Sequence, residues 1–516
     1  MAHRQPNLGD GSIRQNLILN FLGQGWVAII SIALIPFYIK YLGAEAYGVV
    51  GLFALMQAWF QLLDVGLSST LSREMGRFKG GGHTPHKLRE LLRTVEVLAL
   101  SGFVLSTTTL YASAPWITEN WIADTAIDVK TVEMSITIMG FYAGFRLFEG
   151  CFKSALVGLQ LHYMLNVSMI VSHTLRGLGS LFLMAQVSNS IVLFFVWNAC
   201  VSAATALVYC VMVYLNTPQT NGRVALFSVE ALTEVRGFSL GIVGITFVSL
   251  LLTHSDRLVL SRVLSLAEFG YYSFAASAAG ALYLMVTPIS QTYYPKLCEL
   301  RASGNLQREA HLFHQAAQMV TVFMGAVAVF SAYHIGPILT MWTSNAALVN
   351  SISSTFSVLL LGNLCNSIMI MPYQLQLSSG LTSLTFKINL AMVCVVVPTL
   401  LIVAPKYGSL GAATVWLLLN CLYLVVGAEL MFRAILASEK RRWYLLDVIF
   451  PLAAVSSTIQ LFAHILPLSK SESSAELLAK SIVTVTAAIL SGAFAASKLR
   501  SQLIRAARAI KAKVVG

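Results

Sequence analysis

The stretch RGFSLGIVGITFVSLLLTHSDRLVLSRV, residues 236–263, decides the fold. It is long enough to cross a bilayer as a helix, which takes about 20 mostly apolar residues. Yet it carries His254, Asp256 and Arg257. A charged side chain at membrane depth costs roughly 2.5 to 3.5 kcal/mol on insertion scales, so such residues face protein or water and mark a pathway. The chain also folds in two around this stretch, because the spacing of what precedes it is echoed by what begins with it.

Working outward, the chain has 516 residues, of which 57% are hydrophobic and only 11% charged. Apolar runs fall at approximately 13–39, 46–71, 88–113, 131–157, 164–185, 190–215, 237–260, 267–294, 313–341, 347–376, 384–404, 409–432, 445–466 and 475–497. Irregular backbone cannot face lipid, and a barrel would show short alternating strands, so these runs predict an all-α polytopic membrane protein with about fourteen transmembrane helices. The seven cysteines lie singly in or beside the runs, with no CxxC pair and no metal spacing, and read as packing residues. The polar start MAHRQPNLGDGSIRQN leads into a run too long for a signal segment, so no cleavable leader is expected.

The net charge of +12 sits in short loops and the tail, not on a polar domain able to hold a duplex, which argues against nucleic acid. Basic residues cluster after the second helix (Arg73, Arg77, Lys79, Lys87, Arg89, Arg93), the eighth (Lys296, Arg301, Arg308) and the twelfth (Arg433, Lys440, Arg441, Arg442). All are even-numbered exits, which places both termini in the cytoplasm. Thr84-Pro85 reads as an N-cap followed by proline at the first helical position of the third helix. The last segment, from Lys498, aligns Leu499, Leu503, Ala506, Ile510 and Val514 on one stripe and reads either as a helix lying on the anionic leaflet or as a solvated basic tail.

A shift of 222 residues superimposes Tyr47-Gly48 on Phe269-Gly270, Gly82 on Gly304, Gly140 on Gly362, Gly158-Leu159 on Gly380-Leu381 and Asn198 on Asn420, without gaps. An even number of helices per half gives parallel repeats, with the substrate path between them near mid-membrane. The organisation this predicts is an N-lobe over 1–216, a C-lobe over 217–437, two extra helices over 438–499 and a basic tail over 500–516.

The block IPFYIKYLGAEAYGVVGLFALMQAWFQLLDVGLSSTLSREMGR, residues 35–77, resembles the opening of Wzx-type bacterial polysaccharide-repeat flippases. Its echo SDRLVLSRVLSLAEFGYYSFA, residues 255–275, resembles the same family's seventh-to-eighth helix signature. These belong to the multidrug/oligosaccharidyl-lipid/polysaccharide (MOP) exporter superfamily, whose oligosaccharide branch typically has two six-helix lobes plus two helices. The resemblance implies translocation of an undecaprenyl-pyrophosphate-linked oligosaccharide from the cytoplasmic to the periplasmic leaflet of the inner membrane, through a cationic cavity and without ATP hydrolysis. It implies as partners that lipid-linked glycan, membrane lipids and other polysaccharide assembly proteins. The rivals are a multidrug or cation antiporter and a peptidoglycan-precursor flippase of the same superfamily. A membrane-embedded glycan polymerase or ligase is the enzyme alternative, but the long charged external loop it needs is missing. No GxxxxGK[ST] loop is present, and no loop is long enough for a catalytic unit.

On the fourth helix Arg146, Glu149 and Lys153 stand at i, i+3 and i+7 and share one face. On the fifth, His162, His173 and Arg176 form another stripe. The positions 222 residues on are Ile368, Met371, Leu375, Leu384, Val395 and Pro398, so the charge is confined to one lobe. A pyrophosphate needs cationic donors, Arg best because its fork matches phosphate oxygens. Arg146 and Arg176 are therefore expected to receive it, with Lys153 near the entrance. The competing reading is a self-neutralised ladder with Lys153 snorkelling, and for each histidine a core role. In the second lobe Asn363, Asn366 and Gln374 suit sugar hydroxyls, or serve equally as polar glue between helices. Asp64, Glu149, Asp256 and Glu429 are candidate carriers of a coupling proton or sodium ion, with Asp256-Arg257 a clamp or gate. No cofactor or metal is expected.

Overall fold

Helix is the only regular backbone among the described residues, which in this computed structural model are 23–79, 84–122, 125–218, 229–468, 473–502 and 504. The protein is all-α, and every apolar run falls on helical backbone where it is described. Among the described residues, ten helical stretches are long and apolar enough to cross a membrane; the helix Val129–Gly158, which carries Arg146, Glu149 and Lys153, is not among them. The basic tail beyond Ile504, most of the expected amphipathic stripe, lies outside the described residues.

The chain divides into two compact units, Met1–Gly270 and Tyr271–Gly516. The first contains α1 (Gly23–Leu42), α2 (Ala44–Lys79), α3 (Pro85–Trp116), α4 (Val129–Gly158), α5 (His162–Gln186), α6 (Ile191–Leu215) and α7 (Val229–Val263). Local sequence sets the ends of several helices. Thr84 accepts from the Lys87 N–H and Pro85 opens α3, as its missing donor allows. Asp128 caps α4 through the Thr131 N–H. The core of this unit joins α2, α3, α4 and α6 through Leu71, Met75, Leu92, Phe152, Leu156 and Tyr209, all nearly inaccessible.

The unit boundary falls within α8 (Leu266–Gly280). The start of α8 crosses the start of α2 without intervening side chains. A Cβ on Gly48 would strike the carbonyl oxygen of Leu266, and one on Gly270 would strike that of Ala44. Gly48 and Gly270, and likewise Ala44 and Leu266, are 222 residues apart, so the two copies of the motif meet each other at equivalent positions.

The second unit continues with α9 (Leu282–Ala302), α10 (Leu306–Tyr333), α11 (Ile335–Thr343), α12 (Ala346–Ile368), α13 (Ile370–Ser378), α14 (Thr382–Leu422), α15 (Ala428–Ala434), α16 (Phe450–Ile465) and α17 (Ser474–Ala495). Two of the runs that read as single helices, 313–341 and 347–376, are broken for a common reason. Proline lacks an N–H and clashes with the carbonyl four residues back. Pro337 and Pro372 lie four residues beyond Tyr333 and Ile368, where α10 and α12 end. In α14 the break is at Gly408, whose φ of 57° and ψ of −143° no helix contains.

The last two helices are fastened to α10. Val455 and Ile459 of α16 and Ala488 of α17 pack on Ala326 and Phe330. Nearby, the fully buried His314 ring meets Asp447 through Nδ1 and Glu439 through Nε2, the latter at 2.9 Å. Gln318 donates to Asp447 at 2.7 Å and accepts from the Lys498 N–H at 2.8 Å.

Candidate functional site: a charged cavity in the first unit

The polar stripe of α4 opens onto a cavity of about 430 Å³ bounded by residues of the first unit. Helical spacing puts Arg146, Glu149, Gly150 and Lys153 on its wall. Opposite them stand Gln57 and Asp64 of α2, His173 of α5, Tyr209 of α6 and His254 of α7.

Glu149 organises the charge. One carboxylate oxygen accepts from Arg146 Nη1 at 2.8 Å; the other accepts from Arg176 Nη2 at 2.5 Å and from the Ser202 hydroxyl at 3.1 Å. The same Arg176 nitrogen lies 2.9 Å from Ser202 Oγ. The two arginines differ in access: the Arg146 side chain is 31% exposed, that of Arg176 only 8%. Arg146 is thus a cation on the wall, whereas Arg176 sits behind Glu149 and does not line the cavity. Its place is that of a support, and the expectation that both arginines meet a ligand directly is not matched by this geometry. Among the described residues, no hydrogen bond or ion pair engages the Lys153 ammonium.

Asp64 faces this group from α2. Its carboxylate accepts from the Ser68 hydroxyl and lies 3.8 Å from the Cys151 thiol. It reaches α4 because residue 150 is glycine, where a Cβ would stand 2.5 Å from an Asp64 oxygen. Asp256 and Arg257 lie further along α7 and do not line the cavity; of that cluster, His254 does. His173, for which a core role was expected, is likewise on the wall.

The second-unit amides are engaged within the protein. Asn363 Oδ1 accepts from Tyr283 at 3.1 Å and from Trp416 Nε1 at 2.8 Å. Asn366 donates to Asn420 at 2.8 Å, and Gln374 to Ser290 at 2.6 Å. These contacts tie α9, α12, α13 and α14 together, which is how buried amides join membrane helices. Glu429 lies outside the cavity, between Arg433 at 2.6 Å and Lys440.

Ser202 and Tyr209 were not anticipated, yet α6 carries a signal for them. Asn198, Ser202, Thr205 and Tyr209 recur at helical spacing and all are buried. Among the described residues no group of His, Cys, Asp or Glu is placed to hold a metal ion. The cavity offers cationic donors for an anion and carboxylates for exchange of a proton or small cation.

A family described as "Polysaccharide biosynthesis protein" matches residues 13–301. A Shigella flexneri protein named "Putative O-antigen transporter" is 20% identical over 413 residues, 78% of this chain and 94% of its own. Among solved structures, the lipid II flippase MurJ in an inward closed conformation matches with TM-score 0.70 at 14% identity, over 95% of this chain and 100% of its own. An inward-facing multidrug MATE transporter of the MOP superfamily matches with TM-score 0.62 at 15% identity, over 80% and 96%. At these identities the structural likeness is one of fold.

Proposed function

Because the chain belongs to the polysaccharide biosynthesis protein family and has the fold of MOP-superfamily transporters, we propose that this multi-pass membrane protein flips an undecaprenyl-pyrophosphate-linked glycan repeat. Movement runs from the cytoplasmic to the periplasmic leaflet of the inner membrane, by alternating access, with both termini cytoplasmic. Arg146 and Lys153 receive the diphosphate. The observation that carries this reading is the cavity-facing Arg146, held by a carboxylate that is itself held by a second, buried arginine.

Among the described residues around the cavity, three cations (Arg146, Lys153, Arg176) stand against two carboxylates (Asp64, Glu149), leaving one positive charge in excess. A diphosphate carries more negative charge than that. Asp64 forms no direct ion pair with an arginine among the described residues, whereas Glu149 forms two. Proton uptake by Asp64 as the anion enters removes a repulsion and adds one unit to the excess, so Asp64 is the proposed site of coupling. A cationic drug would meet the opposite balance, which weighs against the antiporter reading despite the shared fold.

The test is complementation of a strain lacking the gene. Arg146→Ala should abolish surface polymer at normal protein level and trap lipid-linked oligosaccharide on the cytoplasmic leaflet, and Arg146→Lys should recover part of the export. Full export by the alanine variant, or a loss of drug efflux with export untouched, refutes the proposal.

A further inference from the structure

A second cavity, outside the charged one, runs between α3, α4 and α6 with a volume of about 710 Å³. Its walls are apolar: Leu100 of α3, Phe145 and Phe148 of α4 and Leu207 of α6. The small side chains of Ala203 and Ala206 leave the concavity unfilled. Leu100 and Leu207 are more than half exposed, so the groove opens outward onto the surface that meets lipid.

Its polar end is built, not incidental. Glu96 accepts from Arg93 Nη1 at 2.8 Å and from the Tyr214 hydroxyl at 2.6 Å. The Tyr214 ring carries the Arg89 guanidinium 4.5 Å above its centroid, with that of Arg93 at 5.8 Å. Arg89 is spent on the carbonyls of Thr217 at 3.0 Å and Pro218 at 3.1 Å, closing the end of α6. Arg93 is not: its side chain is 54% exposed, and a guanidinium has five donors, of which the contact with Glu96 occupies one. Among the described residues at this end, two arginines stand against Glu96, a positive balance.

Depth identifies the occupant. From Ala203 to Tyr214 the groove follows α6 for about 16 Å at the helical rise of ~1.5 Å per residue. That is about half of a hydrocarbon core ~30 Å thick, the depth of one leaflet. We propose that this groove binds one anionic phospholipid of the leaflet bordering the start of α3, its acyl chain along Phe145 and Phe148 and its phosphate on Arg93. A long polyisoprenoid tail overruns a groove of this length. A phosphate accepts charge-assisted hydrogen bonds from a guanidinium that ring stacking and Glu96 already hold in place.

The proposal is tested by native mass spectrometry of the full-length protein, titrated with phosphatidylglycerol and with phosphatidylcholine of the same acyl chains. The wild type should retain phosphatidylglycerol in preference. Arg93→Gln should bind it about tenfold more weakly and lose the preference, and Ala203→Phe, which fills the groove, should weaken both lipids. Melting of each variant in lipid-free detergent checks folding, and the charge variant alone decides if the filled one misfolds. Equal retention of the two lipids by wild type, or no change in Arg93→Gln, overturns the proposal. So does displacement of phosphatidylglycerol by equimolar polyprenyl phosphate, which would make the groove a seat for a carrier lipid. None of these readouts depends on transport.

Discussion

Replacing Glu149 by Gln tests the architecture of the charged cavity most directly. The substitution keeps an acceptor of similar shape but removes the charge that answers two arginines. Arg146 is one-third exposed, so its share is screened by water and amounts to about 1 kcal/mol or less. Arg176 contributes more, because its side chain is 8% exposed and would be left as a buried charge. Removing one partner of a buried pair costs about 3 to 5 kcal/mol. The expected loss for Glu149→Gln is therefore about 3 kcal/mol, set by Arg176. Arg176→Gln should lose somewhat less, since Arg146 still answers the carboxylate. The double variant should lose far less than the sum, as neither charge remains to be stranded. Unfolding of the four proteins by denaturing detergent in mixed micelles gives the cycle. If the two single losses add to within about 0.5 kcal/mol, the sites are independent and the described support of Arg146 is wrong.

Three further outcomes follow from the same geometry. Gly150→Ala, whose Cβ would lie 2.5 Å from the Asp64 carboxylate, should cut polymer export strongly without altering any charge; Gly76→Ala, with its nearest neighbour at 3.9 Å, should leave export unchanged. His314→Ala removes the imidazole wedged between Asp447 and Glu439 and should destabilise the protein by about 3 kcal/mol in the same unfolding assay. Exposed His464→Ala should stay within about 0.5 kcal/mol. Asn363→Leu strands the half-buried Tyr283 and Trp416 donors and should lower stability by about 1 to 3 kcal/mol; unchanged stability would release this amide for a ligand role.

Helical content was readable in the sequence because in lipid a long apolar run has one way to satisfy its backbone. The Thr84-Pro85 cap was readable for an equally local reason. Arg146, Glu149 and Lys153 were found because three charges at helical spacing share a face, whatever the neighbours do. What spacing did not convey is depth from the cavity. Arg146 and Arg176 look alike in the sequence, and only the packing of α6 against α4, with Ser202 bridging, sets one in front and the other behind. His173 reaches the wall singly from α5, with no one-helix pattern to distinguish it from a core residue, whereas the polar spacing on α6 that leads to Tyr209 was there to be read. The broken helices before Pro337 and Pro372 were missed because hydropathy runs unchanged through a proline, while the hydrogen-bond ladder does not.

The crossing of Gly48 with Gly270 has a further consequence. If the two halves descend from one duplicated segment, most of their positions have been free to drift apart, as the apolar counterparts of Arg146 and Lys153 illustrate. At this point each copy is the other's steric environment, since a methyl group on either glycine meets a carbonyl of the sister segment. Divergence there is forbidden to both at once, so the trace of duplication survives where the descendants still touch.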